Sequence, residues 1–265
     1  MWTIAGPVLF AIFVWWFSTG LILLLDGLPR KTFRWSLVLS SVIAIAALFG
    51  LHHTAGQATL AGAYCAFTCA LLVWGWHELS FLTGWITGPR KVASPPEASE
   101  GQRFVHAVNA ILWHELAIIG MGLLIIAITW EAPNQVGMWT FVVLWSMRTS
   151  AKLNLFFGVR NLSEEFLPPH LTYMLSFFRR RAMNAVWPLC VGAATVVLVW
   201  MVQAALNPTT PAATAVGLWL AGTLLAMAIL EHALLVLPVP STALWRWAMR
   251  KPAAQPNPAA TALET

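Results

Sequence analysis

Long apolar stretches separated by short polar ones fill most of this chain. Seven of them are long enough to cross a bilayer, which takes about 20 residues of helix. They are Ile4–Leu25, Ser36–Leu51, Thr59–Trp85, Val105–Thr129, Gly137–Phe157, Met183–Leu206 and Ala212–Leu237. In lipid every backbone polar group must be satisfied within the segment, so each stretch is predicted to be an α-helix. The pattern predicts an all-α polytopic membrane protein, a bundle of seven transmembrane helices.

The composition supports this class. Of the 265 residues, 59% are hydrophobic and 9% are charged, whereas a soluble domain carries about 25% charged residues. The N-terminus runs into the first apolar stretch without a basic region or a small-residue cleavage site, so no cleavable signal is expected.

The basic residues predict an orientation. They cluster after the first, third, fifth and seventh segments, whereas the intervening loops "HHTAGQA", "EAPNQV" and "NPTTPAA" contain no Lys or Arg. The positive-inside rule then places the N-terminus outside and the C-terminus in the cytoplasm. These basic residues at the predicted cytoplasmic ends of the segments, where they contact anionic membrane lipid, explain the net charge of +5. No nucleic-acid partner is therefore expected. We expect a transmembrane domain over 1–251, with a cytoplasmic amphipathic loop at 158–182, and a disordered cytoplasmic tail over 252–265.

Titratable residues interrupt four of the apolar segments. Three segments each contain an adjacent carboxylate and imidazole: His77-Glu78, His114-Glu115 and Glu231-His232. The fifth segment contains Arg148 and Lys152. An acid near the bilayer centre costs about 2.5–3.5 kcal/mol, so such residues usually face the bundle interior and are paired.

These groups are predicted to lie at similar depths. At 1.5 Å of rise per residue, Glu231 lies roughly 10 Å from its predicted cytoplasmic helix end, and Arg148 roughly 15 Å. His114 and Glu115 also lie roughly 15 Å in, and Glu78 roughly 16 Å if its helix continues to Pro89. Three acids then face two permanent bases, which leaves one negative charge to be balanced by a proton, an imidazolium or a bound metal.

The residues of this slab form the candidate site. Adjacent helical residues point about 100° apart, so one member of each pair is expected to face a common cavity while its partner braces a neighbouring helix. The candidate cofactor-binding residues are His77, Glu78, His106, Asn109, His114, Glu115, Arg148, Lys152, Glu231 and His232.

Three interpretations of this cluster stay open. The first is a structural network of ion pairs and hydrogen bonds. The second is an iron or zinc centre with ligands among Glu78, His114, Glu115 and Glu231, although the E-x-x-H and H-E-x-x-H spacings are absent from the sequence. The third is a polar cavity for a tetrapyrrole or another amphipathic ligand, with a histidine as axial ligand.

The connection between the fifth and sixth segments adds candidates. In "NLFFGVRNLSEEFLPPHLTYMLSFFRRRAMN", Leu171–Phe178 and the arginine run predict an amphipathic helix lying on the membrane. Such a helix is either an interfacial anchor or a lid over the cavity mouth. If it is a lid, Glu165 or His170 is expected to complete the site, and either residue is then also a candidate metal ligand. In "ITGPRK", Gly88-Pro89 is predicted to end the third helix.

Two long stretches resemble a known family. "HELSFLTGWITGPRK" and "KLNLFFGVRNLSEEFLPPHLTYMLSFFRRRAMN" are similar to signature stretches of the PuhE family of photosynthetic complex assembly proteins, and "FVHAVNAILWHELAI" fits the same match. The resemblance covers most of segments three to six. It implies a cytoplasmic or intracytoplasmic bacterial membrane, with photosynthetic complex subunits or pigment-biosynthesis enzymes as partners. It implies no catalytic residues.

The resemblance and the residues together predict a function. The expected role is assistance in photosynthetic complex assembly, through supply of bacteriochlorophyll or a precursor or through pigment insertion. One alternative is a membrane-bound metal-dependent enzyme of bacteriochlorophyll synthesis that uses Glu and His ligands, with iron as the expected metal. Another is a structural scaffold that acts without a ligand. Whether the protein is an enzyme stays open at this point.

Overall fold

The computed structural model describes residues 2–238 and 244–249, and its regular structure is helical throughout these ranges. The predicted tail over 252–265 lies outside the described residues. The α-helices are α1 Trp2–Asp26, α2 Phe33–Ala55, α3 Leu60–Leu82, α4 Glu100–Ile128, α5 Val136–Phe157, α6 Val186–Leu206 and α7 Ala212–Val236. Three 3-10 helices connect them: η1 Arg30–Thr32, η2 Glu164–Phe166 and η3 Pro169–Phe177.

Each predicted apolar segment corresponds to one of these α-helices. Six of them are long and apolar enough to cross a membrane, and the exception is α5. This helix has 22 residues, which is a sufficient length, but Arg148 and Lys152 reduce its apolar character. The described helices are those of a multi-pass membrane protein.

The innermost helix of the bundle is α3. Its most apolar stretch is 72% buried, against 11% for the corresponding stretches of α1 and α6. It packs against α1, α2, α5 and α7, and Ala63, Ala66 and Ala70 are buried along it. Small residues allow helix backbones to approach closely where lipid supplies no hydrophobic driving force. Residues on α3 therefore face several neighbours, and those near its C-terminus face the candidate site.

The end of α3 differs from the sequence prediction. The helix ends at Leu82, six residues before Gly88, because Gly84 adopts a φ of +77°. The N–H groups of Gly84 and Trp85 donate to the carbonyls of Phe81 and Ser80, both at 2.9 Å, which is the pattern of a Schellman cap. Glu78 is thus four residues from the helix end, roughly 6 Å along the axis, and the condition for its predicted depth of roughly 16 Å, a helix that continues to Pro89, is not met.

The stretch after this cap packs against α4. Thr87 accepts a hydrogen bond from the backbone N–H of His114 at 2.9 Å, and the N–H of Arg90 donates to Asn109 at 3.3 Å. At Gly88 a Cβ atom would collide with the α4 backbone at Asn109 and Ala110. Glycine is therefore required at this position for close backbone approach, and not for ending a helix.

The connection after α5 also differs from the prediction. Leu171–Phe178 is not an amphipathic α-helix on the membrane: η3 is a 3-10 helix, in which residues three apart share a face. Leu171, Met174 and Phe177 form that face, and they are buried in one cluster with Phe81, Leu82 and Ala110 of α3 and α4. We call residues 163–178 the strap, because they cross the end of the bundle with their apolar face inward.

A single arginine joins the strap to two helices. Arg103, in the first turn of α4, donates to the carbonyls of Phe156 and Phe177. Its guanidinium lies 4.0 Å from the ring centroid of Phe156 and pairs with Glu100 at 2.9 Å. Glu100 also pairs with Arg179. The start of α4, the end of α5 and the end of the strap are thereby held at one point.

The chain after α7 returns to α1. The indole N–H of Trp245 donates to the Trp16 carbonyl at 3.2 Å, and that of Trp16 donates to Leu244 at 3.0 Å. The ring of Trp247 lies over Gly20, where any Cβ atom would collide with it. Residues 244–249 therefore form a second cover beside the strap.

Candidate functional site

A cavity of about 400 Å³ lies within one end of the bundle. Residues of α1, α3, α4, α5 and α7 form its walls, and the strap and residues 244–249 cover it. Ligand sites in proteins typically enclose about 300–1,000 Å³ and combine apolar walls with a few polar groups. The charged residues on these walls are Glu78, Arg148, Lys152, Glu164 and Glu231.

Two ion pairs cross between helices at this level. Arg148 of α5 pairs with Glu78 of α3 at 3.2 Å, and Lys152 of α5 pairs with Glu115 of α4. The Arg148 side chain is 41% accessible, whereas that of Glu78 is only 12% accessible. Because Arg148 lines the cavity, this accessible surface faces the interior space. Both basic residues of α5 are thus neutralised by acids of neighbouring helices.

Glu231 is the acid that these two pairs leave over. It lies on α7, lines the cavity and is exposed towards it. Among the described residues, no Lys, Arg or His side chain lies within 4.0 Å of its carboxylate. The sequence predicts three acids against two bases, and the ion pairs identify Glu231 as the acid in excess.

His232, beside it, is fully engaged. Its Nδ1 lies 2.9 Å from the carbonyl of Ala228, and its Nε2 lies 2.8 Å from the hydroxyl of Ser150. A carbonyl can only accept, so Nδ1 carries the proton and Nε2 accepts from Ser150. The ring is 1% exposed. His232 therefore joins α7 to α5 and has no ring nitrogen left for a ligand.

Two other candidate histidines lie outside the cavity. His77 and His114 are each 1% exposed, and their rings face each other between α3 and α4 with centroids 6.5 Å apart. Within the described chain, Nε2 of His77 and both ring nitrogens of His114 have no hydrogen-bond partner. On α3, Glu78 faces the cavity while His77 faces α4, in agreement with the expected division within a pair.

The remaining candidates also lie elsewhere. Nδ1 of His106 is 3.0 Å from the hydroxyl of Ser94, and Asn109 contacts the loop after α3. Glu165 is exposed on the strap, and the His170 ring packs beside Gly84. Of the ten candidate cofactor-binding residues, the cavity wall includes Glu78, Arg148, Lys152, Glu231 and His232.

A complete metal ligand set is not assembled in the described residues. No three side chains of His, Cys, Asp or Glu come together there in a way that could hold a metal ion. Glu115 is occupied by Lys152, His114 lies between α3 and α4, and Glu231 lies on the cavity wall. An iron or zinc centre stays a prediction.

The aromatic cover of the cavity was missed by the sequence analysis. Trp245 lines the cavity, with its ring centroid 5.4 Å from that of Trp15 and 5.8 Å from that of Phe166. Glu164, and not Glu165, lines the cavity from the strap, and it pairs with Arg180 at 2.7 Å. The available signal was the pair of tryptophans in "LWRWAM", close after the last apolar segment.

Comparison with known proteins identifies the family. The chain matches the family described as "Protein of unknown function (DUF3623)" over residues 1–256. The protein belongs to the DUF3623 family. It is 39% identical over 251 residues to the "Uncharacterized 30.4 kDa protein in puhA 5'region" of Rhodobacter capsulatus, which covers 93% of this chain and 90% of that relative. No solved structure matches the chain.

Proposed function

We propose that this protein is a photosynthetic complex assembly factor that holds a bacteriochlorophyll or a precursor in its cavity during pigment supply or insertion. The observation that carries the proposal is the covered cavity with apolar walls and a central group of charges. The relative in the puhA 5' region fits a photosynthesis-gene context. The stretches that resemble the PuhE family supply the end of α3, the loop against α4 and the strap, which are the elements around this cavity.

The size of the cavity argues for an occupant. Its volume of about 400 Å³ lies within the range of ligand sites, about 300–1,000 Å³. Its mostly apolar walls with a few charged groups suit an amphipathic molecule. A helix bundle without a ligand would fill the space with larger side chains at residues such as Gly75, Ala151 and Ala228, which line it.

We also propose that all seven α-helices cross a bacterial inner membrane, with the N-terminus outside and the C-terminus in the cytoplasm. The ion pairs of Arg148 and Lys152 support α5 as the seventh span, because pairing offsets the cost of placing their charges in the membrane. A reporter fused after Lys251 should be active if it requires the cytoplasm and silent if it requires the periplasm. The reverse pattern would overturn this topology.

Gene deletion tests the function in the organism. Loss of the protein should lower bacteriochlorophyll or photosystem content and slow phototrophic growth, while respiratory growth is spared. The deletion strain should recover when it is complemented with the wild-type protein. Normal pigment and normal phototrophic growth after deletion, without a redundant homologue, would refute the role.

Filling the cavity with a larger side chain tests whether the cavity is required to restore pigment. Ala151 lines the cavity, whereas Ala193 on α6 is exposed on the outside of the bundle. Ala151→Phe should accumulate in the membrane and fail to restore pigment, and Ala193→Phe should restore it fully. Full restoration by an accumulated Ala151→Phe protein would show that the cavity is not used.

The other two functions give different results with purified protein. A metal-dependent enzyme should contain stoichiometric iron or zinc. A scaffold should contain neither pigment nor metal, and should be recovered only with photosynthetic complex subunits or pigment-biosynthesis enzymes. Metal analysis and an absorption spectrum of the gently purified protein distinguish these outcomes from co-purified pigment.

A further inference from the structure

The cavity wall offers few groups that could ligate a metal at the centre of a pigment. His232 is the histidine on the described wall, and both of its ring nitrogens are engaged. His77 and His114 face each other between α3 and α4 and do not line the cavity. The expectation of a histidine as axial ligand therefore finds no available imidazole on the described wall.

Three carboxylates line the same space, and two of them are occupied. Glu78 pairs with Arg148, and Glu164 at the mouth pairs with Arg180. Glu231 is exposed into the cavity with no cationic side chain within 4.0 Å among the described residues. An unpaired carboxylate within a membrane bundle is costly, so a partner supplied by the ligand would stabilise it.

Magnesium is a cation that the unpaired carboxylate of Glu231 can bind. Mg²⁺ is a hard cation that prefers oxygen ligands and octahedral geometry. In a chlorin, four ring nitrogens occupy one plane around the magnesium, and the positions above and below it are open to a ligand. A carboxylate oxygen can occupy one of them, and its negative charge is attracted to the metal.

The aromatic residues of the cover suit a planar ligand. Trp15, Trp245 and Phe166 line the cavity, and the ring of Trp245 contacts those of the other two. Flat aromatic surfaces contact a macrocycle over a large apolar area, and aromatic pairs add about 0.5–1.5 kcal/mol beyond area burial. Trp15 and Glu231 lie on α1 and α7, which pack against each other, so the carboxylate and the indole belong to neighbouring walls.

We propose that Glu231 is the axial ligand for the magnesium of a chlorin bound in the cavity, so that the site selects the metallated pigment over its metal-free form. This inference rests on the proposed function, because it assumes that the cavity holds a tetrapyrrole. It adds the selecting residue and the chemical form of the cargo. In this proposal the carboxylate of Glu231 selects the metallated pigment by direct contact with the magnesium.

The test compares two forms of one ligand. Full-length protein in detergent micelles is titrated with a magnesium chlorin and with the same chlorin lacking the metal. Quenching of tryptophan fluorescence reports binding, because Trp15, Trp74 and Trp245 line the cavity. Wild-type protein should prefer the magnesium form by at least about tenfold, which corresponds to about 1.4 kcal/mol of binding free energy.

Variants at Glu231, together with a control at another carboxylate, test whether Glu231 causes the preference for the magnesium chlorin. Glu231→Leu, which removes both oxygen donors of this side chain, should lose the preference while it binds the metal-free chlorin as before. Glu231→His should restore the preference, because an imidazole is an alternative axial ligand, and a purely structural role predicts no such rescue. The matched control is Glu165→Leu, which removes an exposed carboxylate of the strap that does not line the cavity and should keep the preference.

The outcomes separate the inference from the proposed function. Equal binding of both chlorins by the wild type, or an unchanged preference in folded Glu231→Leu, overturns the role of Glu231 and leaves pigment binding intact. Absence of binding of either chlorin to the wild type overturns both proposals. Undiminished quenching in Ala151→Phe places the pigment outside the cavity and also overturns both.

Discussion

The three acids of the candidate site, Glu78, Glu115 and Glu231, should respond differently to loss of their charge. Glu78→Gln and Glu115→Gln each leave a basic residue of α5 without its partner, whereas Glu231→Gln removes an acid that has no cationic partner among the described residues. Glutamine keeps the shape of the side chain, so packing changes little. The first two substitutions should destabilise the fold, and the third should leave its stability unchanged or higher.

The structure also predicts which of these two substitutions costs more stability. Removing one partner of a buried ion pair costs about 3–5 kcal/mol, because the other charge is left uncompensated. The side chains of Lys152 and Glu115 are 19% and 22% accessible, and that of Arg148 is 41% accessible. Since Arg148 faces the cavity, water reaches it more easily. We expect Glu115→Gln to cost about 4 kcal/mol and Glu78→Gln about 3 kcal/mol.

Thermal unfolding in detergent measures these differences. For a protein of this size, 1 kcal/mol shifts the midpoint by about 2–4 °C, so the two variants should lose roughly 6–16 °C. Heating followed by size-exclusion chromatography of the surviving protein gives the midpoint at a fixed heating rate. The double variant Glu78→Gln with Arg148→Met should recover to within about 1 kcal/mol of the wild type, because both charges of this ion pair are then removed together.

One result would refute this reasoning. If Glu231→Gln loses as much stability as Glu115→Gln, a cation compensates Glu231 in the free protein, and the excess-acid assignment fails. If Glu78→Gln and Glu115→Gln are both as stable as the wild type, the two ion pairs contribute nothing to the fold.

Three further changes test the cover of the cavity and the end of α3. Arg103→Leu removes charged hydrogen bonds to two carbonyls, each worth about 1.5–3 kcal/mol, so the midpoint should fall by roughly 6–24 °C; Arg103→Lys should recover only part of this loss. Burial and then the charge of Arg30 hold the pKa of His170 below its usual range. The unfolded chain therefore binds the proton more readily, and unfolding measured across pH should show stability that is complete above about pH 6.5 and declines below it; His170→Gln should flatten that decline. Gly84→Ala forces a left-handed conformation at a cost of about 1–2 kcal/mol, and its Cβ would also lie 3.0 Å from the His170 ring, so a lower midpoint is expected.

Much of the fold could be predicted because a bilayer demands long apolar helices. The fifth segment was predicted over Gly137–Phe157 and α5 is Val136–Phe157; the last was predicted to end at Leu237 and α7 ends at Val236. The end of α3 was predicted wrongly because two breakers compete within a few residues. Gly84 takes the left-handed conformation and ends the helix, while Gly88 is needed for contact with α4, and only the packed structure shows which contact each glycine serves.

The strap was mispredicted for a related reason. Its apolar residues suit either an α-helix on lipid or a 3-10 helix on protein, since Leu171, Met174 and Phe177 recur every three residues. The buried cluster with Phe81 and Leu82 decides between these possibilities, and that partner surface is distant in sequence. Pro168 and Pro169, at the N-cap and first position of η3, favour a tight start but do not determine what packs beneath the helix.

The candidate site shows where counting charges is sufficient and where geometry is needed. The sequence alone yields one acid in excess, but it cannot tell which acid the two bases leave over. In α3 the carboxylate of Glu78 faces the cavity and the imidazole of His77 packs against α4. In α4 the carboxylate of Glu115 reaches Lys152, and His114 packs against α3.

In α7 the order of the pair is reversed, yet the division is the same. Glu231 faces the cavity, and His232 is bonded to Ser150 of α5. In all three pairs, then, the imidazole occupies a helix–helix contact while the carboxylate meets a charge or faces the site where one could bind. Two of these carboxylates meet a charge from α5. The third, Glu231, has no cationic partner within 4.0 Å among the described residues, and this difference is the reason for proposing that it selects a ligand that brings its own positive charge.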